Sequence, residues 1–223
     1  MNCSARTCLL ALQCLATLSL VAEEVGERWG TAERERAYYR VVNVQIPKGL
    51  VVEAGAFEQL PDGRLAVGTR RGDIYLLDDV DAEKPSPKFK RFATGLDEIF
   101  GLAYRDGAMY VTQSCELTRL TDRNKDGRAD KFEVVSDKWG YANYHEYAFG
   151  SKFDPAGNLY VALGLSSSYH SRALFRGWAM KITPQGKTIP IASGLRSPGG
   201  IGLTSMGPSS TSRARGHGTP LAV

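Results

Sequence analysis

The sequence predicts an all-β fold that forms part of a β-propeller, with about three blades and the opening strand of a fourth. Three observations predict it. A unit of short apolar segments and tight turns occurs three times. Its equivalent turn glycines, Gly63, Gly107 and Gly157, lie 44 and 50 residues apart, and helical periodicity is nearly absent from this region. A four-strand unit with a period near ~45 residues is typical of propeller blades rather than of a sandwich.

The first repeat, Phe57–Asp79, shows the plan. An apolar segment ends at the turn Pro61-Asp62-Gly63, the strand Leu65–Val67 follows, and a second turn leads into Ile74–Leu77. Asp-Gly between alternating apolar runs is the strongest local indication of a hairpin, because such a tight turn needs positive φ.

The second and third repeats keep the same order. In the second, the turn Asp106-Gly107 separates two apolar strands, and Leu117–Leu120 forms the next one. The third begins at Phe149, turns between Asp154 and Asn158, and continues to residue 195. We therefore assign residues 47–203 to the propeller domain.

The first 22 residues are typical of a secretory leader. A single basic residue, Arg6, precedes an apolar run from Cys8 to Ala22, which is shorter than the ~20 apolar residues of a membrane span. We expect residues 1–22 to be a signal peptide and residues 23–46 a lead-in segment. The protein is then exported to the periplasm or beyond the cell and spans no membrane; the alternative is a start assigned too far upstream.

Composition excludes several functions. The net charge is +4, and loss of Arg6 with the leader lowers it by one, which is too little to indicate a nucleic-acid partner. Three of the four cysteines lie in the leader. The remaining Cys115 excludes an intramolecular disulfide and Cys-x-x-Cys metal sites.

The segment Asp122–Glu133 has the register of a calcium-binding loop. Oxygen-bearing side chains occupy its first, third, fifth, ninth and twelfth places, and a glycine at the sixth permits a sharp turn. The loop joins two outer strands of the second blade, so the ion would be structural; the alternative is a soluble turn without metal. The predicted ligands are Asp122, Asn124, Asp126, Arg128 (backbone carbonyl), Asp130 (through a water) and Glu133.

Three polar residues occupy the same topological position in successive blades. Glu98, His145 and Arg196 each precede an innermost strand, and such residues line one mouth of a propeller channel. A basic mouth with one histidine favours an anionic cofactor and a proton-transfer step. The alternatives are structural: a His145 ring bonded to a backbone carbonyl, and an Arg196 paired with Glu98 or Glu146. Neighbouring aromatic residues are expected to pack between blades rather than stack on a sugar: Trp139, Tyr141, Tyr144 and Tyr147.

At these residues the sequence resembles the soluble pyrroloquinoline-quinone (PQQ) sugar dehydrogenases, including the glucose/sorbosone type. It resembles more closely the exported planctomycete-type propeller proteins labelled membrane-bound dehydrogenase domains. His145 followed by residues 153–160 is similar to the family's catalytic histidine and its Phe-Gly-x-Asp-Gly-x-Leu-Tyr segment. Residues 194–200, GLRSPGG, are similar to its Gly-x-Arg-Asn-Pro-x-Gly segment.

The resemblance implies roles for these residues. His145 would take the proton of a sugar hydroxyl while hydride passes to the quinone, and Arg196 would neutralise the reduced quinone. Ser197 stands where the family has an Asn, and Glu98 is a further candidate for cofactor binding. The family closes its ring with six blades, so the chain is expected to be a partial (truncated) six-bladed β-propeller, inactive as this fragment.

Residues 204–223 lose all strand alternation. We expect a disordered tail, and the codons permit a frameshift near residue 203; the alternative is a natural Ser/Gly/Arg-rich tail. The favoured function is thus an exported dehydrogenase-like propeller that oxidises a sugar or related alcohol. A non-catalytic propeller that binds carbohydrate or protein is the alternative, and an assembly completed by further blades or a partner chain is a third.

Overall fold

The computed structural model describes residues 37–38, 42–165, 170–204 and 207–209. The predicted leader, most of the lead-in segment and most of the tail lie outside these residues. Contacts divide the chain into two compact units, residues 1–43 and 44–223, and all described strands belong to the second unit.

The strands form three antiparallel four-stranded sheets, which confirm the predicted blades. Blade 1 contains β1 (Ala54–Gln59), β2 (Leu65–Thr69), β3 (Ile74–Leu77) and β4 (Phe89–Ala93). Blade 2 contains β5 (Gly101–Arg105), β6 (Ala108–Thr112), β7 (Leu117–Thr121) and β8 (Lys131–Ser136). Blade 3 contains β9 (Ala148–Phe153), β10 (Leu159–Leu163), β11 (Trp178–Ile182) and β12 (Thr188–Ser193). A two-stranded sheet of β13 (Gly202–Thr204) and β14 (Gly207–Ser209) follows.

Each blade is a meander in which strand order follows sequence order. The first turn of each blade carries the glycine predicted from the repeat: Gly63, Gly107 and Gly157 have φ values of +86°, +79° and +87°. A residue with a Cβ adopts this left-handed region at a cost, which explains the glycine at each turn. The described residues contain no helix, and therefore none that is long and apolar enough to cross a membrane.

Apolar side chains join the blades face to face. Because side chains alternate along a strand, Ala66 and Leu76 of blade 1 point toward blade 2, while Val67 and Tyr75 point away and pack with Val52. The interface between blades 1 and 2 includes these further buried residues: Ile74, Ile99, Leu102, Met109, Val111 and Leu120. A second cluster joins blades 2 and 3: Ala103, Leu117, Trp139, Leu159, Val161, Leu163, Met180 and Ile182.

The innermost strands β1, β5 and β9 approach one another too closely for a side chain at certain positions. A Cβ on Gly55 would lie 2.3 Å from the carbonyl oxygen of Ile99, and one on Gly101 would lie 1.4 Å from the carbonyl oxygen of Gly150. A Cβ on Gly150 would lie 2.5 Å from Cγ2 of Ile201, just before β13. Backbone therefore packs on backbone or on a neighbouring side chain where successive blades meet.

This close approach predicts that Gly101→Ala destabilises the domain by about 1–3 kcal/mol or more, because the added methyl cannot avoid the Gly150 carbonyl without moving a strand. Thermal or urea unfolding measures the loss. The control is Gly199→Ala, where a Cβ would have no neighbour within 4 Å, and where we expect a change within about 0.5 kcal/mol. Equal losses in both variants would contradict the packing account.

Candidate functional site

One end of the blades carries all three residues predicted to line a channel mouth. Because the blades share one strand order, the connections into β5, β9 and β13 emerge at the same end as the turns between the second and third strands of each blade. We call these segments the mouth loops. Their described residues are 70–73, 94–100, 113–116, 137–147, 164–165, 170–177 and 194–201.

Glu98 is held between blades by Arg70, a residue that the sequence analysis missed. Nη2 of Arg70 donates to Oε1 of Glu98 over 2.9 Å and to the Tyr147 hydroxyl over 3.4 Å, and the Ser114 hydroxyl donates to Oε2 over 3.5 Å. The Arg70 guanidinium also lies 5.7 Å from the centroid of the Tyr147 ring. Arg70 and Ser114 lie in the turns that follow the second strands of blades 1 and 2. Glu98 and Tyr147 lie in the connections that lead into blades 2 and 3, so the network links all three blades.

The backbone of Glu98 has a φ of +36°, which non-glycine residues rarely adopt. Such conformations cost on the order of 1–3 kcal/mol and persist where surrounding contacts impose them. Here the next residue, Ile99, is fully buried, and its amide donates to the Thr69 carbonyl over 3.2 Å. The buried neighbour therefore fixes the direction in which the Glu98 carboxylate is presented.

His145 lies in the connection between β8 and β9 with its ring exposed. Its amide donates to Oδ1 of Asn143 over 3.0 Å, and its ring lies against Tyr144, with the two centroids 4.0 Å apart. Within the described part of the chain, the ring has no hydrogen-bond partner, so the structural alternative of a ring bonded to a carbonyl does not apply there. Its assignment as a base stays a prediction.

Arg196 and Ser197 lie in the connection that leads to β13, and both are exposed. The Arg196 carbonyl accepts a hydrogen bond from Leu165 over 2.8 Å, which fixes the backbone and leaves the side chain toward solvent. Among the described residues the Arg196 guanidinium has no ion-pair partner, since Glu98 pairs with Arg70. The connection thus offers a guanidinium and a hydroxyl to solvent near Gly199, where a Cβ would have no neighbour within 4 Å, and such donors suit an anionic ligand.

The aromatic residues of this region divide into two groups. Trp139 is only 3% exposed and packs between blades 2 and 3, and Tyr147 packs on Phe100 with ring centroids 4.8 Å apart. Both match the predicted packing role. In contrast, Tyr141 and Tyr144 are 53% and 73% exposed.

Arg176, at the end of the turn between β10 and β11, is the second residue that the sequence analysis missed. Its side chain is almost completely buried and donates three hydrogen bonds to carbonyl oxygens: Nε to Gly140 over 2.6 Å, Nη1 to Tyr147 over 2.9 Å and Nη2 to Ser114 over 2.6 Å. Burial lowers the pKa of Arg176 to about 10, so the guanidinium remains charged at neutral pH.

Glu146, next to the candidate base, is 1% exposed. Its Oε2 accepts a hydrogen bond from the Ala142 amide over 2.6 Å, while Oε1 is buried without a partner among the described residues. Its negative charge opposes the effect of burial on the nearby Arg176. Glu146 therefore forms a hydrogen bond within its own loop and does not pair with Arg196.

The predicted calcium loop joins β7 to β8, as expected, and three of its oxygen-bearing side chains fold over one turn. Oδ2 of Asp122 accepts from the Gly127 amide over 2.9 Å, Oδ1 of Asn124 from the Asp126 amide over 3.1 Å, and Oδ1 of Asp126 from the Arg128 amide over 2.8 Å. Gly127, at the sixth place, has a φ of +91°. Oδ1 of Asp122 is buried without a hydrogen-bond partner among the described residues.

The remaining two carboxylates of the loop are engaged elsewhere. Asp130 accepts from Nε of Arg123 over 3.1 Å, and Glu133 pairs with Lys131 over 2.7 Å and with Arg119 over 3.8 Å. The hydrogen bond from Lys131 holds the pKa of Glu133 below its usual value. Across the described ranges, no three His, Cys, Asp or Glu side chains stand close enough to hold a metal ion. The six-ligand site stays a prediction.

The chain belongs to the family described as "Domain of unknown function (DUF7133)", which residues 50–218 match. No curated protein matches the chain.

Several solved structures have a similar fold. A Thermus thermophilus oxidoreductase described as a glucose dehydrogenase is 22% identical, with 72% of this chain and 58% of that one covered and a TM-score of 0.53. The PQQ domain of pyranose dehydrogenase from Coprinopsis cinerea, in its holo form, is 14% identical, with 77% and 48% covered and a TM-score of 0.56. The calcium structure of a Trichoderma reesei carbohydrate-active enzyme of family AA12 is 16% identical, with 74% and 45% covered and a TM-score of 0.53.

At these identities the similarity shows the fold, and it confirms the β-propeller class. The chain spans about half the length of these structures, between 45% and 58%. Their activities and ligands are properties of those longer proteins.

The exposure of the Arg70–Glu98 pair predicts that it contributes little to stability. The two side chains are 48% and 28% exposed, and exposed ion pairs contribute about 0–1 kcal/mol, so Arg70→Gln is expected to change the free energy of unfolding by less than about 1 kcal/mol. Urea unfolding provides the measurement.

A buried contact between blades 2 and 3 provides the contrast. Thr112 and Ser151 hydroxyls are hydrogen-bonded over 2.6 Å in the interior, so Ser151→Ala is expected to cost about 1–3 kcal/mol. An equally large loss for Arg70→Gln would mean that the ion pair holds the blades together rather than forming part of a site.

Proposed function

We propose that this protein is a quinoprotein-like dehydrogenase propeller that oxidises a sugar or related alcohol at the mouth loops. The observation that carries the proposal is the Arg70–Glu98–Tyr147 network, which collects polar groups from three blades, with an exposed His145 two residues before Tyr147. Export is part of the same proposal and is supported by the leader predicted for residues 1–22. We expect oxidation only in a propeller completed by further blades, since similar structures are about twice as long.

Each residue has a defined task in this reaction. The Glu98 carboxylate, fixed by Arg70, accepts a hydrogen bond from a sugar hydroxyl and so orients the ring. The His145 imidazole takes the proton from the hydroxyl of the carbon that is oxidised, because a free ring nitrogen is the usual proton acceptor at neutral pH. The Tyr144 ring, which lies against the imidazole, offers an apolar face to the sugar.

The residues of the 194–201 connection fit the anionic cofactor that the resemblance implies. The exposed Arg196 guanidinium offers parallel donors for a carboxylate, and Ser197 offers a hydroxyl where the family has an amide. Pyrroloquinoline quinone, when bound, would supply the two-electron acceptor that receives hydride from the sugar carbon.

Substitution of the candidate base separates binding from chemistry. In a form of the protein completed with further blades, His145→Gln is expected to leave PQQ binding, followed by fluorescence titration, within about twofold, and to lower PQQ-dependent sugar oxidation about 100-fold or more. Arg196→Gln should instead weaken PQQ binding about tenfold, the usual effect of losing a charged hydrogen-bond pair. Turnover that survives in His145→Gln would rule out the proposed base.

Exposed aromatic rings favour a second candidate function, a non-catalytic carbohydrate-binding propeller. Tyr141 and Tyr144 present flat apolar faces at the mouth loops, and such rings stack on sugars in binding sites. Saturable sugar binding that Tyr144→Ala removes, with no PQQ binding and no turnover, would favour this candidate over the enzyme.

We also propose that the loop between β7 and β8 binds calcium in a structural role. Three side chains already share one turn, and the unpartnered Oδ1 of Asp122 is a ready ligand. Calcium would have to compete with Arg123 for Asp130 and with Lys131 for Glu133. The Ala129 amide donates to the Phe92 carbonyl of β4 over 2.8 Å, so ordering this loop also stabilises its contact with blade 1.

Calcium is expected to raise the melting temperature of the wild-type chain, because a ligand at 100 times its Kd adds about 2.7 kcal/mol to the folded state. The matched pair is Asp126→Ala, which removes a predicted ligand oxygen, and Asp106→Ala, which changes an exposed aspartate in another Asp-Gly turn of the same blade. Only Asp126→Ala should lose the shift. The same shift in both variants, or none in the wild type, would remove the calcium site.

A further inference from the structure

We propose that Arg176 is a positioning residue that holds the segment from Gly140 to Tyr147, here called the His145 loop, in register with Glu98. The inference rests on the proposed function for the role of His145. The hydrogen bonds by which Arg176 fixes the loop do not depend on that function, and their effect can be tested without an activity assay.

The guanidinium of Arg176 fastens both ends of the His145 loop. Its Nε donates to the Gly140 carbonyl over 2.6 Å, and Nη1 donates to the Tyr147 carbonyl over 2.9 Å. These two carbonyls flank the loop that carries the candidate base. A single planar group therefore sets the separation between the start and the end of the loop, which a flexible point charge such as an ammonium does less well.

The third hydrogen bond connects the loop to the Arg70–Glu98 network. Nη2 of Arg176 donates to the Ser114 carbonyl over 2.6 Å, and the hydroxyl of the same Ser114 donates to Glu98 over 3.5 Å. One side chain from blade 3 thus contacts both the His145 loop and the turn whose Ser114 hydroxyl bonds to Glu98. Their relative position depends on this group in addition to the packing of the blades.

Inside the loop, two short-range hydrogen bonds complete the hold. Oε2 of Glu146 accepts from the Ala142 amide over 2.6 Å, and Oδ1 of Asn143 accepts from the His145 amide over 3.0 Å. These bonds close the loop on itself but do not attach it to another blade. Arg176 attaches the backbone of the loop to blade 2, in addition to the Tyr147 side chain, which packs on Phe100 and accepts from Arg70.

Charge explains why an arginine occupies an interior position. The side chain has no carboxylate within ion-pair distance among the described residues, yet the buried Glu146 charge favours its protonated form. Three carbonyl oxygens replace the water that the guanidinium loses on burial. A cation satisfied by carbonyls, rather than by a carboxylate, leaves the Glu98 carboxylate for other partners.

Blade packing does not require this arrangement. The apolar cluster between blades 2 and 3 is formed by residues of their sheets together with Trp139. At the opposite end, Arg105 makes an analogous contact between the same blades, with Nη1 donating to the Asp154 carbonyl over 3.1 Å. Arg105 is therefore a matched control: it links the same two blades and touches none of the mouth loops.

The test is amide hydrogen exchange on the full chain, in the wild type and in Arg176→Lys, Arg176→Met and Arg105→Met. Arg176→Lys is expected to raise exchange in peptides covering the His145 loop roughly tenfold or more, and to leave peptides covering β5, β6, β9 and β10 unchanged. Arg105→Met should leave the His145 loop protected. Unchanged loop exchange in Arg176→Lys would overturn the proposal.

A spectroscopic readout reports on the candidate base itself. The Cε1 proton of His145, assigned with His145→Gln, experiences the ring current of Tyr144, whose centroid is 4.0 Å away. This resonance should shift or broaden in Arg176→Lys and stay fixed in Arg105→Met. A resonance that moves equally in both variants would show a general effect of weaker blade packing and would contradict a positioning role.

The double variant Arg176→Met/Glu146→Gln separates position from charge. Arg176→Met alone leaves the buried Glu146 without its compensating charge, so global stability should fall, and neutralising Glu146 should recover much of it. Loop protection should not return. Recovery of both would mean that Arg176 acts only as a counter-charge, and if Arg176→Met fails to fold, the lysine variant and the double variant still decide.

These outcomes are distinct from those of the proposed function. Loss of loop protection in Arg176→Lys, together with no PQQ binding by the completed propeller, would remove the enzyme proposal and leave the positioning role of Arg176 intact. Normal PQQ binding by the completed propeller, together with unchanged amide exchange in the His145 loop of Arg176→Lys, would remove the positioning role and leave the enzyme proposal intact.

Discussion

The close approach of the innermost strands is the constraint on which the rest of the structure depends. Gly101 of β5 lies directly against the Gly150 carbonyl of β9, and no larger residue fits there. Because the backbones of these strands are in direct contact, the position of each blade relative to the next is fixed. The loops at the ends of the strands therefore start from defined positions. The mouth loops inherit this geometry, so polar groups far apart in sequence, such as Arg70 and Tyr147, become hydrogen-bond partners.

Different forces stabilise the blades and the mouth loops. The blades are joined by buried aliphatic side chains, whose contribution scales with apolar area and does not depend on direction. The mouth loops are joined by directional hydrogen bonds, above all those from the buried Arg176 to three carbonyls. A loop held in this way keeps its side chains in position while its own outward face, with Tyr144 and His145, remains open to solvent.

The candidate site could be predicted from the sequence only in part. The repeat places Glu98, His145 and Arg196 before successive innermost strands, and the structure has them in those connections. Arg70 was within reach of the same reasoning, because the turn after each second strand lies at the same end of its blade. No local pattern indicates Arg176, because arginine is usually exposed. Its burial follows from its contacts with the His145 loop and with the turn that contains Ser114.

By itself, the sequence determined the blade pattern: the spacing of turn glycines and the alternation of apolar residues specify three meanders, because positive φ and a two-residue side-chain period are local properties. It also determined the fold of the Asp122–Gly127 turn, whose hydrogen bonds are all short-range. Only the tertiary structure decided which charges pair. Glu98 pairs with Arg70 instead of Arg196, and Glu133 pairs across the hairpin with Arg119, because the partner of a long side chain depends on which blades and strands lie beside it.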